Sequence, residues 1–395
     1  MELYRAIKIA AFSLTLSIPV QAAADFKILV GLDPADEVGK RNLAYAGGIT
    51  PSLSAALGTK ILHKQTSNLT DVMRATRTQE NDALVGPPHV TASAISHSYE
   101  LLARDGRNTT YVLIARKEIA RLEDMAGKRL YLTQQDSARA YLAKGLLTEA
   151  GFDIKKFKQV VYGKTSGAGM LALATNLADV TIAEQDEAQS WIKANPGVAS
   201  ILKSTRQVPA GTAVMVRKNL PESERKNLLK WIAAGESGGN GFGKLIVATD
   251  ADDEQYRYIA SLGILTPATL PGATVVGAAE VAKLIGSGVT PVDTRTAKEF
   301  ENEHINGSIH APYIERSLKD RDFDPKLDDY TAILKLTRDK PLIFFCNGPE
   351  CWKSYKASKI AVENGFKQVY WYRKGMPEWR EKAMPVVAGA KLAAK

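Results

Sequence analysis

The chain has 395 residues, 45% hydrophobic and 24% charged, with a formal charge of +9 and only two cysteines. This composition excludes a mainly disordered chain, and the length suits two or three structural units with cores of their own. The basic excess is spread along the chain instead of forming a stripe with interleaved aromatics, which argues against a nucleic-acid partner and is compatible with a mild pull on small anions.

The first residues read MELYRAIKIAAFSLTLSIPVQAAADFKIL. Arg5 and Lys8 form a positive start, Ile9 to Val20 a short apolar run, and Ala22-Ala23-Ala24 a small-residue cleavage site. This is the pattern of a secretory signal peptide over 1–24, implying a periplasmic product. The run is shorter than the roughly 20 residues of a membrane span, so no span is expected after cleavage. No cysteine lies near the cleavage site, which argues against a lipid anchor.

FKILVGL then reads as a buried strand ending at Asp33-Pro34, with a helical segment near Thr50 to Leu57 opened by Pro51. KILHKQ is a short strand, Asn68-Leu69-Thr70 caps a helix, DALVG is a strand, and Pro87-Pro88 opens the next helix. KRLYLT is followed by Asp136-Ser137 and a helix that stops at Gly151. KQVVYG is followed by Thr165-Ser166-Gly167 and another helix, and DVTIAEQ is a further strand. GTAVMVRK, around 211–218, reads as a strand returning to the first unit. Alternating strands and helices predict mostly parallel α/β sheets. The order divides residues 25–270 into one lobe over about 25–114 and 211–270 and a second over about 115–210, joined by two crossings. Ligands of open α/β sheets sit beyond the strands' carboxyl ends, where helix N-termini favour anions.

Four stretches in this order, GLDPADE, LTDVMRATRTQENDALVGPP, LEDMAGKRLYLTQQDSARAYLAKGLLTEAGF and YGKTSGAGMLAL, resemble type 2 periplasmic binding proteins of the phosphate/phosphite/phosphonate branch. The resemblance implies a hinged, two-lobed binder of a small anionic solute and, by analogy with binding proteins, an ABC-type permease as partner. Asp33, Pro87, Ser137, Arg139, Thr165 and Ser166 are the expected cleft residues. Ser137 reads equally as a helix cap, Ser166-Gly167 as a turn, and Arg139 as a surface residue.

The segment LGILTPATLPGATVV, 262–276, carries three turn signals and reads as a linker. Beyond it, residues 271–395 form another unit. VDTR is a strand end, and PLIFFC is a buried strand delivering Cys346 at its carboxyl end. NGPEC is the loop after that strand, and WKSYKASKIAVENGF is a helix. A cysteine where a loop wraps toward a helix N-terminus meets N–H groups that favour thiolate and can cradle an anionic sulfur. Cys351, in the same loop, suits a redox or sulfur site better than a disulfide framework. Two cysteines with no histidine nearby in sequence argue against metal, and no cofactor is expected.

VDTRTAKEFENEHINGSIHAPY, FFCNGPECWKS and GFKQVYWYRKGMPEW, in that order, resemble the rhodanese family. The resemblance implies a three-layer α/β domain with Cys346 as the persulfide-forming residue. Asn347, Gly348 and Lys353 would contact its substrate. Asp293 and Arg295 would form a structural pair near the site, and His304 would orient a turn. One departure stands out: Cys351 occupies the position where many family members carry a cation, so thiosulfate as donor is doubtful. Three functions remain open. The first is a sulfurtransferase passing sulfur to a thiol acceptor, with the solute-binding module beside it. The second is a transport or sensing protein with a silent rhodanese-like domain. The third is a thiol–disulfide protein in which Cys351 resolves a Cys346 intermediate.

Overall fold

The computed structural model describes residues 25–33, 49–235 and 244–388. The expected signal peptide and most of GLDPADE lie outside them. In chain order the first lobe contains β1 (Phe26–Gly31), α1 (49–57), β2 (Ile61–Thr66), α2 (Leu69–Thr78), β3 (Ala83–Gly86), α3 (Pro88–Ile95) and β4 (Tyr99–Asp105). A short strand β5 (Asn108–Thr109) leads into the second lobe: β6 (Tyr111–Arg116), β7 (Arg129–Leu132), α4 (Ala138–Glu149), β8 (Gln159–Tyr162), α5 (Ser166–Ala174), β9 (Val180–Glu184), α6 (Gln185–Ala194) and β10 (Ala199–Ser204). β11 (Val208–Pro209) pairs with β5 as an antiparallel ribbon. The chain then returns through β12 (Ala213–Arg217), α7 (Glu222–Ala233), β13 (Leu245–Val247) and α8 (Asp250–Ser261).

The lobes are two separate sheets, ordered β13-β4-β12-β3-β1-β2 and β10-β6-β9-β7-β8. They are mixed, not mostly parallel. β12 runs antiparallel to β3 and β4, and β6 antiparallel to β9 and β10. Both enter directly from the ribbon without a crossover helix, which only antiparallel pairing permits. All of β6 pairs in the second sheet, so the first crossing falls at 106–110, not at 114. Alternation along β1 explains the layering. Ile28 and Val30 face Leu53, Leu228 and Trp231, whereas Leu29 faces Val72 and Met73.

The third unit runs β14 (Ala273–Val275), α9 (Ala278–Gly286), β15 (Thr290–Asp293), α10 (Ala297–Asn302), β16 (His304–Ile305), β17 (Ile309–His310), α11 (Thr331–Leu334), β18 (Leu342–Phe345), α12 (Trp352–Glu363), β19 (Val369–Tyr372), α13 (Gly375–Glu381) and β20 (Val386–Val387). Its main sheet, β14-β19-β18-β15-β17, is parallel throughout. Such a sheet must be covered on both faces. β18 accordingly reads LIFF and is wholly buried. Leu342 and Phe344 face Tyr355 and Ile360 of α12. Ile343 and Phe345 face Val281 of α9 and Met376 and Trp379 of α13.

The segment expected as a linker is bound to the C-terminal unit. β14 begins at Ala273, Thr266 donates its N–H to the Pro349 carbonyl at 2.8 Å, and Trp352 Nε1 donates to the Ile264 carbonyl at 2.8 Å. Buried backbone groups need such partners. One apolar cluster runs from Val72, Val90 and Leu142 of the lobes to Trp352, Tyr355 and Trp371. The C-terminal unit is thus packed onto the lobes. Among the described residues no helix is long and apolar enough to cross a membrane.

Candidate functional site

β18 ends at the sheet's carboxyl edge and places Cys346 there, while Cys351 is the residue preceding α12. The loop between them is held at several points. Gly348 turns it with φ 87°, and Cys351 N–H donates back to the Gly348 carbonyl at 3.0 Å. Asn347 Nδ2 donates to Glu299 Oε1 at 2.5 Å. Gly375 crosses beneath the loop with φ 53°, and a Cβ there would lie 2.0 Å from the Cys346 carbonyl oxygen. That oxygen accepts the Met376 N–H at 2.9 Å. The Gly-Met pair of the GMPEW stretch therefore supports the thiol loop from below.

Both cysteines are free and buried. Cys346 Sγ lies 3.1 Å from the Cys351 carbonyl oxygen and 3.1 Å from Ser354 Oγ. Ser354 Oγ accepts Trp371 Nε1–H at 3.1 Å, so its own hydroxyl hydrogen is available to an ionised sulfur. The expectation that loop amides make Cys346 the thiolate needs correction. Burial pushes the Cys346 thiol up, and the neighbouring Cys351 sulfur adds to this. Burial alone would also raise Cys351. The Cys346 hydrogen bond, Arg77, Lys353 and the Asn347 backbone outweigh it and bring Cys351 down to about 6. Of the two thiols, Cys351 is thus the one shifted toward the ionised form and Cys346 the one shifted away from it.

Arg77 belongs to α2 of the first lobe. Its Nη1 meets Glu350 Oε2 at 2.6 Å, and Ser93 Oγ of α3 donates to the same oxygen at 2.7 Å. His97 Nε2 lies 3.8 Å from Glu350 Oε1. Nearby, Lys319 of the C-terminal unit pairs with Asp136 at 2.6 Å, and Thr70 Oγ1 donates to Asp136 at 2.9 Å. Thr70 is in the first lobe and Asp136 in the second, so Asp136 joins all three units. Sequence reasoning missed Arg77, Ser93, His97, Glu350, Asp136 and Lys319 as site residues. Their only local signal is that Glu350 sits beside Cys351 and Asp136 beside a helix cap.

The expected cleft residues occupy helix and strand ends. Asp33 ends the described part of the first strand segment and is buried. Pro87 is the N-cap of α3. Ser137 is the N-cap of α4, accepting the Ala140 N–H at 3.2 Å and meeting Thr133 Oγ1 at 2.8 Å. Thr165 caps α5 through the Ala168 N–H at 3.3 Å, and Ser166 is the first residue of that helix. Arg139 is buried, not a surface residue. Its Nη1 is 3.0 Å from Glu187, its Nη2 3.6 Å from Glu184, and it stands over the Tyr111 ring at 5.6 Å. Burial works against its charge, but Tyr111, Glu187, Glu184 and Asp33 outweigh this and keep it protonated. Glu184 and Glu187 thus flank the guanidinium, and Asp33 of the first lobe adds a favourable charge. Sequence reasoning missed Tyr111, Glu184 and Glu187, although DVTIAEQ ends at a strand terminus.

Asp293 and Arg295 are fully buried and paired at 2.7 Å, with Arg295 Nη2 also donating to the Glu303 carbonyl at 2.7 Å. This fixes the turn after β15. His304 stacks on Phe300 at 3.8 Å and its Nδ1 meets the Phe300 carbonyl at 2.8 Å. Lys353 is in the first turn of α12, half-buried. No group of three or more His, Cys, Asp or Glu suited to a metal occurs among the described residues.

Residues 277–382 match the family model "Rhodanese-like domain". Residues 45–241 match "ABC transporter, phosphonate, periplasmic substrate-binding protein". A curated relative, an HTH-type transcriptional regulator of Mycobacterium tuberculosis, is 34% identical over 102 residues, 26% of this chain and 39% of its own. The chain thus spans about two fifths of that relative's length. Among solved structures, PhnD1 from Prochlorococcus marinus in complex with methylphosphonate is 15% identical. It covers 60% of this chain and 97% of its own, at a TM-score of 0.47. A binding protein component of an ABC phosphonate transporter from Pseudomonas aeruginosa is 17% identical, covering 67% and 94%, at 0.44. The chain joins a phosphonate-type periplasmic-binding module to a rhodanese-like domain.

Proposed function

We propose that this protein is an exported, periplasmic sulfurtransferase in which Cys346 carries the sulfur and Cys351 serves as its proton partner. The observation that carries the reading is the buried pair of free thiols in the loop after β18, with Cys346 Sγ 3.1 Å from Ser354 Oγ and Cys351 immediately before α12. As Cys346 Sγ attacks the terminal sulfur of a sulfane donor such as an organic persulfide, its proton passes to the Cys351 thiolate. The sulfur–sulfur bond of the donor breaks, the donor's thiolate leaves with the bonding pair, and a Cys346 persulfide remains. Ser354 Oγ, 3.1 Å from Cys346 Sγ and acceptor of the thiol in the resting pair, turns its hydroxyl hydrogen to the sulfur once that is charged. An acceptor thiolate or cyanide then takes the terminal sulfur and returns Cys346 as thiolate, which recovers its proton from Cys351.

Cys346 is fully enclosed, so a donor reaches it only when the loop lifts from α2 and α3. The binding module has a role here. A small anionic solute entering beside Arg139, Asp33, Ser137, Thr165 and Ser166 acts next to Asp136, the residue clamped by Lys319. Solute capture and thiol exposure then share one joint. Whether the module also hands its solute to an ABC-type permease is a separate use of the same lobes.

The test is thiocyanate formation by the full chain from thiosulfate and cyanide. Cys346→Ser should abolish it and Cys351→Ser should slow it. No turnover with any sulfane donor, or equal turnover in Cys346→Ser, would overturn the reading. The hydrogen-bonded thiol pair also favours a second reading, a dithiol that reduces partner disulfides. Disulfide reduction without sulfur transfer would select that one.

A further inference from the structure

The C-terminal domain carries no cation at the loop position that Cys351 fills, yet a buried cation reaches that loop from outside. Arg77 is 5% exposed and belongs to the binding module. Its Nη1 is fixed by Glu350, the residue before Cys351, and its backbone carbonyl accepts Arg380 Nη1–H of α13 at 3.0 Å. Ser93 holds Glu350 from the other side and is itself held by Thr76 at 2.7 Å. Arg77 Nε is buried with no hydrogen-bond partner, so the guanidinium retains a donor beyond the Glu350 pair.

We propose that Arg77 of the binding module is the positioning residue of the thiol loop, supplying across the domain boundary a positive charge that stabilises a sulfur anion at Cys351. The inference deepens the sulfurtransferase reading and rests on it for its biological meaning. The charged and titratable groups around Cys351 are Arg77 on α2, His97 after α3, Glu350 and Cys346 in the loop, and Lys353 on α12. Glu350 opposes Arg77 but shares its own charge with Ser93 and His97. The Cys346 hydrogen bond, then Arg77 and Lys353, favour the thiolate and bring Cys351 down. The site is therefore complete only while the two domains are together, which makes docking a condition for the anionic form.

The test is the pH dependence of iodoacetamide labelling of the full chain, with the modified cysteine located by peptide fragmentation. It reads the thiolate directly, whether or not sulfur is transferred. Arg77→Ala should raise the labelling midpoint of Cys351 by about one pH unit, the size expected for losing one nearby opposite charge. Arg77→Lys should restore most of it. Lys298→Met, which removes only an exposed ion pair with Glu80 between the same units, should leave the midpoint in place. If Arg77→Ala does not fold, Arg77→Gln against Arg77→Lys makes the same comparison. An unchanged midpoint in Arg77→Ala or Arg77→Gln, or an equal rise in Lys298→Met, would overturn the inference. A normal midpoint shift with no thiocyanate formation would remove the sulfurtransferase reading and leave Arg77's role standing.

Discussion

Arg77 and Glu350 meet at 2.6 Å although 273 positions separate them in the chain. Arg77 is 5% exposed and Glu350 13%, so the pair is largely out of water. Removing one partner of such a pair leaves an uncompensated charge and costs about 3 kcal/mol. Glu350→Ala should lower stability by that order in chemical denaturation and expose the thiol loop. Faster labelling of Cys346 in this variant is the companion observation.

The same pair sets an acid limit. Burial works against the Glu350 carboxylate, but His97, Arg77 and Ser93 outweigh it and hold the group far below its ordinary 4.5. A depressed carboxyl contributes stability that is complete above its unfolded value and lost as pH falls toward the folded one. Unfolding midpoints should therefore drop below about pH 4.5. Glu350→Gln should start lower at pH 7 and lose less on acidification.

Cys351 predicts a titration of its own. With the thiol at about 6 against an ordinary 9, one thiolate should appear near pH 6 in the ultraviolet absorbance of the native protein. Its stabilising contribution is full above the ordinary value and is lost as pH falls through about 6. Cys351→Ser should remove that transition. Two thiolates titrating together near 9 would contradict the charge assignment.

Gly375 is predicted to tolerate no side chain. Its φ is 53° and an added Cβ would meet the Cys346 carbonyl oxygen at 2.0 Å. Gly375→Ala should cost roughly 1–3 kcal/mol and displace the loop. Reduced sulfur transfer with retained secondary structure, read by circular dichroism, is the expected combination.

In the binding module, Glu187 pairs with Arg139 at 3.0 Å and would compete with the proposed anionic solute. Glu187→Gln should strengthen binding of phosphate, read as a larger thermal shift in the full chain. Weaker binding in that variant would mean the solute uses Glu187 itself.

The parts legible in the sequence are those written locally. The run LIFFC placed Cys346 at a strand end, and Asp293-x-Arg295 closed its own pair. The caps Ser137 and Thr165 preceded their helices as their residue types suggest. Arg77 and Ser93 were not legible, because nothing in the α2 and α3 segments marks the face that meets Glu350. The downward shift of Cys351 was hidden in part for the same reason. After the Cys346 hydrogen bond, its next favourable partner is a guanidinium from another domain. Arg139 was legible as a candidate but not as a buried arginine paired with Glu184 and Glu187.

The most direct measurement of the central claim is the mass of the protein after treatment with sulfane donors, organic persulfides and thiosulfate in turn, and desalting. The account predicts a gain of one sulfur atom, located on Cys346 by fragmentation and absent in Cys346→Ser. A protein that gains no sulfur from any sulfane donor, or gains it on Cys351 alone, would contradict it.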